Sequence, residues 1–314
     1  MSKLPVNLLS RLLLSMLLLQ PLSPLASQRY SEIVHENQMI SIRYHASFTE
    51  AERSITFRWL EQVTEALLTV YGELPKDSYQ ISIERSFSRN SPVPWGQVER
   101  GSPTNVLLVI NPDAGYQALI DDWTAFHELS HLLLPYRGYG NIWLSEGLAT
   151  YYQNIIQARS GQFDETEMWR RLAAGFNRGS KEQRWRHSNL TQVSDNLGET
   201  RQYMRVHWSG VLYWLTADVE LRKQGKTLDD VLKQLRDCCE ERAMSAEQIV
   251  SKLDELLDGE LFVLLFEQYC ESYETPEYNP LLVKLGIATD TSSRAVSFDK
   301  DAQLSEIRRH IYLR

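Results

Sequence analysis

The sequence predicts an α+β protein in which a β-rich first third gives way to a mainly helical remainder. Three observations carry this. Met39 to His45 and Tyr79 to Arg85 alternate apolar and polar residues with the period of half-buried strands. From residue 117 onward the periodicity turns almost wholly helical. Across 314 residues, 43% hydrophobic and 24% charged with 15 Gly and 11 Pro, the composition is that of an ordinary globular chain. It excludes disorder, collagen-like repeats and a disulfide-dense miniature scaffold.

In chain order, a helical pattern over Thr49 to Tyr71 separates the two alternating strands. Asn105-Val106-Leu107-Leu108-Val109-Ile110 is a short apolar run closed by Asn111-Pro112-Asp113, which predicts a buried strand. Helices are predicted over 117–134, 145–159, 164–175, 203–223, 227–240, 245–257 and 260–272. No internal repeat, low-complexity tract or Gly/Ser linker interrupts the series. The chain is therefore expected to form one domain over 28–314, with a β-rich lobe over 28–116 and a helical lobe over 117–314.

The only long apolar run is N-terminal. Lys3 and Arg11 precede Leu12 to Leu19, and a segment of small residues ends at Ala26-Ser27. A basic n-region, a short apolar h-region and a small-residue c-region make a secretory signal peptide, assigned to residues 1–27. The apolar stretch falls short of the roughly 20 residues that span a bilayer. A secreted or periplasmic protein without stable membrane insertion after cleavage is expected. The formal charge of −8, from 33 Lys+Arg against 41 Asp+Glu, and the lack of any basic cluster argue against nucleic acid as a partner. Cys238, Cys239 and Cys270 lack C-x-x-C spacing. A bridge from Cys270 to Cys238 or Cys239 and buried free thiols are both compatible with the sequence.

Chemistry concentrates in His127-Glu128-Leu129-Ser130-His131. On a helix, residues i and i+4 share a face about 6 Å apart along the axis, so two imidazoles can converge on one zinc. Glu128, one position on, sits where a general base for a bound water belongs. Ser145 is a good N-cap, so Glu146 is expected to begin a second helix and to complete a three-ligand set, leaving a fourth position open for water. The extended metzincin pattern is absent, because Leu134 and Arg137 stand where it needs Gly and His. A di-iron bundle lacks its second helical E-x-x-H pair, since Glu32 and His35 lie in no helical context.

These motifs, with Trp143-Leu144-Ser145-Glu146-Gly147 followed by Thr150-Tyr151-Tyr152, resemble the gluzincin metallopeptidases, specifically the catalytic domains of the glycyl aminopeptidase and aminopeptidase N type. The gap from the second His is shorter than in aminopeptidase N relatives. Downstream, Trp208-Ser209-Gly210 through Leu215, then Asp218 to Arg222, resemble the family's Tyr-x-Lys-Gly helix and the Asp and Arg after it, and residues 259 to 286 resemble the end of its catalytic domain.

The resemblance implies a thermolysin-like two-lobed fold, one zinc per chain and a peptide or protein substrate. It also implies an oxyanion-stabilising Tyr three residues before the helix Gly. Here that position is His207, and Tyr203, one helical turn earlier, is the substitute candidate. The family's Gly-x-Met-Glu-Asn strand, whose Glu holds a substrate's free amine, corresponds to Gly96-Gln97-Val98-Glu99-Arg100, with Glu99 as the candidate anchor; Val98 and Arg100 depart from the pattern. The expected function is zinc-dependent peptide hydrolysis with Glu128 as general base, with aminopeptidase action as one form of it. The rival is a non-catalytic zinc-binding protein that takes a peptide or protein partner. Trp123, Trp143, Trp208 and Trp214 are expected in the helical core rather than in a substrate pocket.

Overall fold

The computed structural model describes residues 29–88, 90–182, 184–290 and 295–313; the expected signal segment lies outside them. β1 (Tyr30–His35) and β2 (Gln38–Tyr44) form an antiparallel pair. α1 (Glu50–Leu68) then crosses over to β3 (Ser78–Arg85), parallel to β2. α1 starts at a capping box in which Thr49 and Glu52 satisfy each other's backbone N–H groups. β4 (Trp95–Glu99) and β5 (Asn105–Ile110) complete a five-stranded sheet of order β1-β2-β3-β5-β4. β5 runs parallel to β3, and β4 is an antiparallel edge strand with one side unpaired in the sheet.

Ile40, Ile42, Ile81, Ile83, Val106, Leu108 and Ile110 are fully buried on one face of the sheet. The β5 run differs from the expected wholly buried strand. Asn105, Leu107 and Val109 project to the other face and stay partly exposed, so an apolar sequence occupies a one-sided strand.

The helical part begins with α2 (Gly115–Asp121) and α3 (Thr124–Ser130), followed by a 3-10 turn over His131–Leu133. The single helix expected over 117–134 is thus broken. Asp122 takes an extended conformation and its Oδ1 accepts from the N–H of Thr124, a local bond that competes with helix continuation. Next come α4 (Ile142–Arg159), α5 (Glu165–Gly179), α6 (Leu190–Asp195), α7 (Leu197–Thr200) and α8 (Tyr203–Lys223). Ser145 does not cap α4. The helix starts three residues earlier, after the left-handed residue Asn141, and Ser145 is buried in its first turns.

No residue of α4 is exposed, which makes it the central helix. Its crossing with α8 is a backbone contact: a Cβ on Gly147 would lie 2.3 Å from Gly210, and one on Gly210 would lie 2.2 Å from the carbonyl oxygen of Trp143. Two buried networks fasten the same helix. The Tyr151 hydroxyl donates to Asp218, which also pairs with Arg222; the Tyr152 hydroxyl donates to Asp229, which pairs with Arg159.

α9 (Leu228–Cys239), α10 (Ala246–Leu257), α11 (Leu261–Cys270), α12 (Asn279–Lys284), the hairpin β6 (Ile287–Thr289) and β7 (Val296–Phe298), and α13 (Ser305–Leu313) complete the fold. The disulfide joins the neighbours Cys238 and Cys239, and Cys270 is free. A bridge to Cys270 is overturned because that thiol lies beside Asn141 at the start of α4, whereas the other two end α9. Among the described residues, no helix is long and apolar enough to cross a membrane.

Candidate metal centre

α3 and α4 bring the expected residues together. His127 and His131 lie one turn apart with ring centroids 4.7 Å from each other. A single oxygen of Glu146, Oε2, lies 3.3 Å from His127 Nε2, 3.6 Å from His131 Nε2 and 3.5 Å from His207 Nε2. His207 reaches the cluster from α8, where the Gly147–Gly210 contact sets the two helices close, and its ring stacks on that of His127 at 5.9 Å.

The second nitrogen of each imidazole has its own oxygen partner, and all three partners stand on α4. His127 Nδ1 is 2.9 Å from Gln153 Oε1, His131 Nδ1 is 3.0 Å from Ser145 Oγ, and His207 Nδ1 is 3.2 Å from Thr150 Oγ1. Such outer partners fix ring orientation and tautomer in metal sites. Ser145, expected as a cap, is one of them. Thr150 stood in the family-like run Thr150-Tyr151-Tyr152 with no role attached to it, and Gln153 carried no mark in the sequence beyond its place on the same helix as Glu146.

Electrostatics follow from the packing. Burial would raise the Glu146 carboxyl, but His131, His127 and His207 around it hold it well below the usual carboxylate range. Glu128 is pushed up to about 7 by burial, with Glu146 adding to the rise and His127 and Arg100 opposing it. Burial drives His207 down to about 4 against the pull of Glu146, so its ring is neutral at pH 7. Ligand atoms of His127, Glu146 and His207 all lie within 4.8 Å of one another. Imidazole nitrogens and a carboxylate oxygen are the donors zinc prefers, and burial with outer-shell support suits them to hold it.

β4 closes one side of the centre. A Cβ on Gly96 would lie 2.5 Å from Glu128 Cγ and 2.9 Å from Thr124 Cγ2, so only glycine lets the edge strand pass this close to Glu128. Glu99, on the same strand, is exposed and accepts from Asn105 Nδ2 at 2.7 Å. Arg100, which follows it, rests over the Tyr136 ring, and its charge is felt by both Glu128 and Glu146. Tyr203 is 46% exposed and takes part in none of the hydrogen bonds of the centre.

Trp143 and Trp214 are buried as expected; Trp208 is buried but lines the cleft next to His207, and Trp123 is 49% exposed and meets His127 edge-on at 5.4 Å. Trp123 belongs to the site because the break at Asp122 lifts it out of the helix that the sequence pattern suggested.

The sequence profile of the M61 glycyl aminopeptidases matches residues 137–225, from the loop before α4 to the end of α8. The chain resembles the gluzincin metallopeptidases. Solved structures of gluzincin type share its fold. An aminopeptidase N family protein from Idiomarina loihiensis matches with a TM-score of 0.60 at 16% identity over 83% of this chain and 49% of its own. The M1 zinc metallopeptidase of Deinococcus radiodurans gives 0.51 at 15% identity over 79% and 52%. Native yeast LTA4 hydrolase gives 0.52 at 16% over 82% and 42%. The chain thus spans about half the length of these gluzincin structures or less. No curated protein matches it in sequence.

Proposed function

We propose that the chain is an exported zinc-dependent metallopeptidase, with the sheet-bearing part over 28–116 and the helical part over 117–314 as the two lobes of a thermolysin-like enzyme. The observation that carries this reading is the convergence of His127, His131 and Glu146, with Glu128 buried next to His127 on α3. His127, His131 and Glu146 would hold the metal. Zinc held there would supply Lewis-acid polarisation of the scissile carbonyl and a water whose pKa is lowered to about 7.

Glu128 takes the proton of the attacking water and returns it to the leaving amine, the task of a general base whose pKa lies near the working pH. His207 supports the carbonyl oxygen as charge develops on it. When the Thr150 hydroxyl donates to Nδ1, the remaining proton of the neutral ring sits on Nε2, which faces the cluster. A peptide laid along the free edge of β4 would pass over Gly96 and so over Glu128. Aminopeptidase action needs an amine anchor, and Glu99 can supply one only by leaving Asn105.

The test is metal analysis of the purified protein with cleavage mapping on a peptide library. One zinc per chain and hydrolysis that Glu128→Gln reduces by roughly 10²- to 10⁴-fold with zinc retained are expected. Zinc bound without cleavage of any peptide would end the peptidase reading.

One observation favours a second reading. His207 Nε2 is as close to Glu146 Oε2 as His131 Nε2 is. Three imidazoles and a carboxylate would close a tetrahedral shell and leave a zinc-binding protein with no open position for water.

A further inference from the structure

The cleft that opens beside the metal centre is cationic in a protein whose net charge is −8. It encloses about 410 Å³, and one wall is shared with the centre, since His207, Thr150 and Gln153 line it. Arg170, Arg171 and Arg178 of α5 line it as well. Arg170 and Arg171 both pair with Glu167, so one carboxylate serves two guanidinium groups. Glu165, the other acidic residue of α5, pairs with Arg308.

Arg178 makes no ion pair among the described residues and instead lies over the Trp208 ring at 5.3 Å. The indole under it is fixed: a Cβ on Gly175 would lie 2.0 Å from Trp208 Cη2, and one on Gly179 would lie 2.7 Å from its Cβ. A guanidinium on a rigid aromatic floor, unneutralised and bordering the catalytic side chains, is a preorganised receptor for a carboxylate.

We infer that the substrate presents a carboxylate to this cleft: a peptide with an acidic side chain or a free C-terminal carboxylate next to the bond that is cut, bound by Arg178. The inference rests on the peptidase reading and names the class of peptide. At about 410 Å³ the cleft has room for a short stretch of peptide, and of its three arginines only Arg178 lacks a carboxylate partner among the described residues, which favours one anionic group over an extended polyanion. Arg100, which follows β4, lies outside the cleft and has Glu128 and Glu146 as its charged neighbours.

The experiment is a positional-scanning peptide library, each peptide made with a free and with an amidated C-terminus, offered to zinc-loaded protein. Because Arg178 is exposed, a charge pair with it predicts a preference of roughly 2- to 5-fold for Asp and Glu over Asn and Gln at one position beside the cleaved bond. If the terminal carboxylate is the recognised group, the preference is instead for free acids cut near their C-terminus.

Arg178→Ala and Arg178→Gln should bring the ratio close to one, and Arg178→Glu should turn it toward Lys and Arg, with zinc content unchanged. Arg309→Ala, on the exposed face of α13, should leave the ratio as it is. Efficient cleavage with no acidic preference, or a preference that survives Arg178→Ala, overturns the inference and leaves the peptidase reading standing. Failure to cleave anything removes the peptidase reading, and fluorescence anisotropy of labelled Glu-containing peptides against their Gln counterparts then tests the cleft. Equal affinities for the two sets would overturn it.

Discussion

Glu128 holds its proton unusually tightly, and this has two measurable faces. In the loaded protein a cation beside it would pull that affinity back down and leave a carboxylate ready to accept a proton. In metal-free protein it opposes folding, because burial raises the carboxyl from its ordinary 4.5 to about 7. The unfolded chain gives up this proton near 4.5 while the folded chain keeps it to about 7, so stability falls as pH rises through that window. Chelator-treated Glu128→Gln protein should therefore melt above the metal-free parent at pH 8, and the difference should vanish below about pH 4.

His207 separates the two functional readings. As an oxyanion donor, its replacement by Phe lowers kcat by roughly 10²- to 10³-fold and leaves zinc affinity nearly unchanged. As a metal ligand, its replacement weakens zinc binding, which a competition titration with a chromogenic chelator measures. At this scale the sequence carried much of the site. The i, i+4 histidines and Glu146, fifteen positions beyond the second of them, stand together in space. The roles of Gln153 and Thr150 were not legible and Trp123 was misplaced in the core, since an outer hydrogen bond and an exposed aromatic edge leave no periodicity behind.

Among elements, the α4–α8 crossing decides whether Glu146 and His207 meet at all. The two helices touch at Gly147 and Gly210, the neighbours in sequence of Glu146 and of the helix turn that bears His207. Gly210→Ala places a methyl group on the Trp143 carbonyl and on Gly147, and relief requires the helices to part. We expect a loss of about 1–3 kcal/mol in chemical denaturation, the usual cost of overpacking. Lower zinc affinity should accompany it, although residue 210 touches no proposed ligand.

The sequence showed the glycines without showing the contact, because a small residue in a helix signals close approach only once the partner helix is known. The broken helix at Asp122 has a similar origin. Apolar spacing continued across the break, and a single side-chain-to-backbone bond outweighed it. α9 and α10 were legible nearly to their ends, because strong 3.6-residue periodicity coincides there with Thr227 and Ser245 caps.

For the molecule as a whole, a bound zinc would join α3, the turn after it and α4 at one point. Binding to the folded chain alone stabilises it by about 2.7 kcal/mol at a free zinc concentration 100 times Kd. Chelation should therefore lower the melting temperature in a way that zinc, added back in a titration, reverses as far as its free concentration allows. The α+β division was visible in the change of period near residue 117, whereas the sheet order β1-β2-β3-β5-β4 was not. Strand pairing depends on contacts between distant segments that alternation alone does not rank.

The three oxygen partners of the imidazoles and the carboxylate beside them all come from α4, a helix with no exposed residue. One rigid rod thus serves as the alignment jig for the whole centre, and its rotation about its own axis is the coordinate that matters. Deleting one residue between Ser145 and Gln153 would turn one end against the other by about 100° and dismiss at least one partner. Because α4 is also the hub of the core, the proposed centre would take up metal only after the helices around it have docked. Zinc uptake by a refolding chain would then serve as a clock for the last packing step.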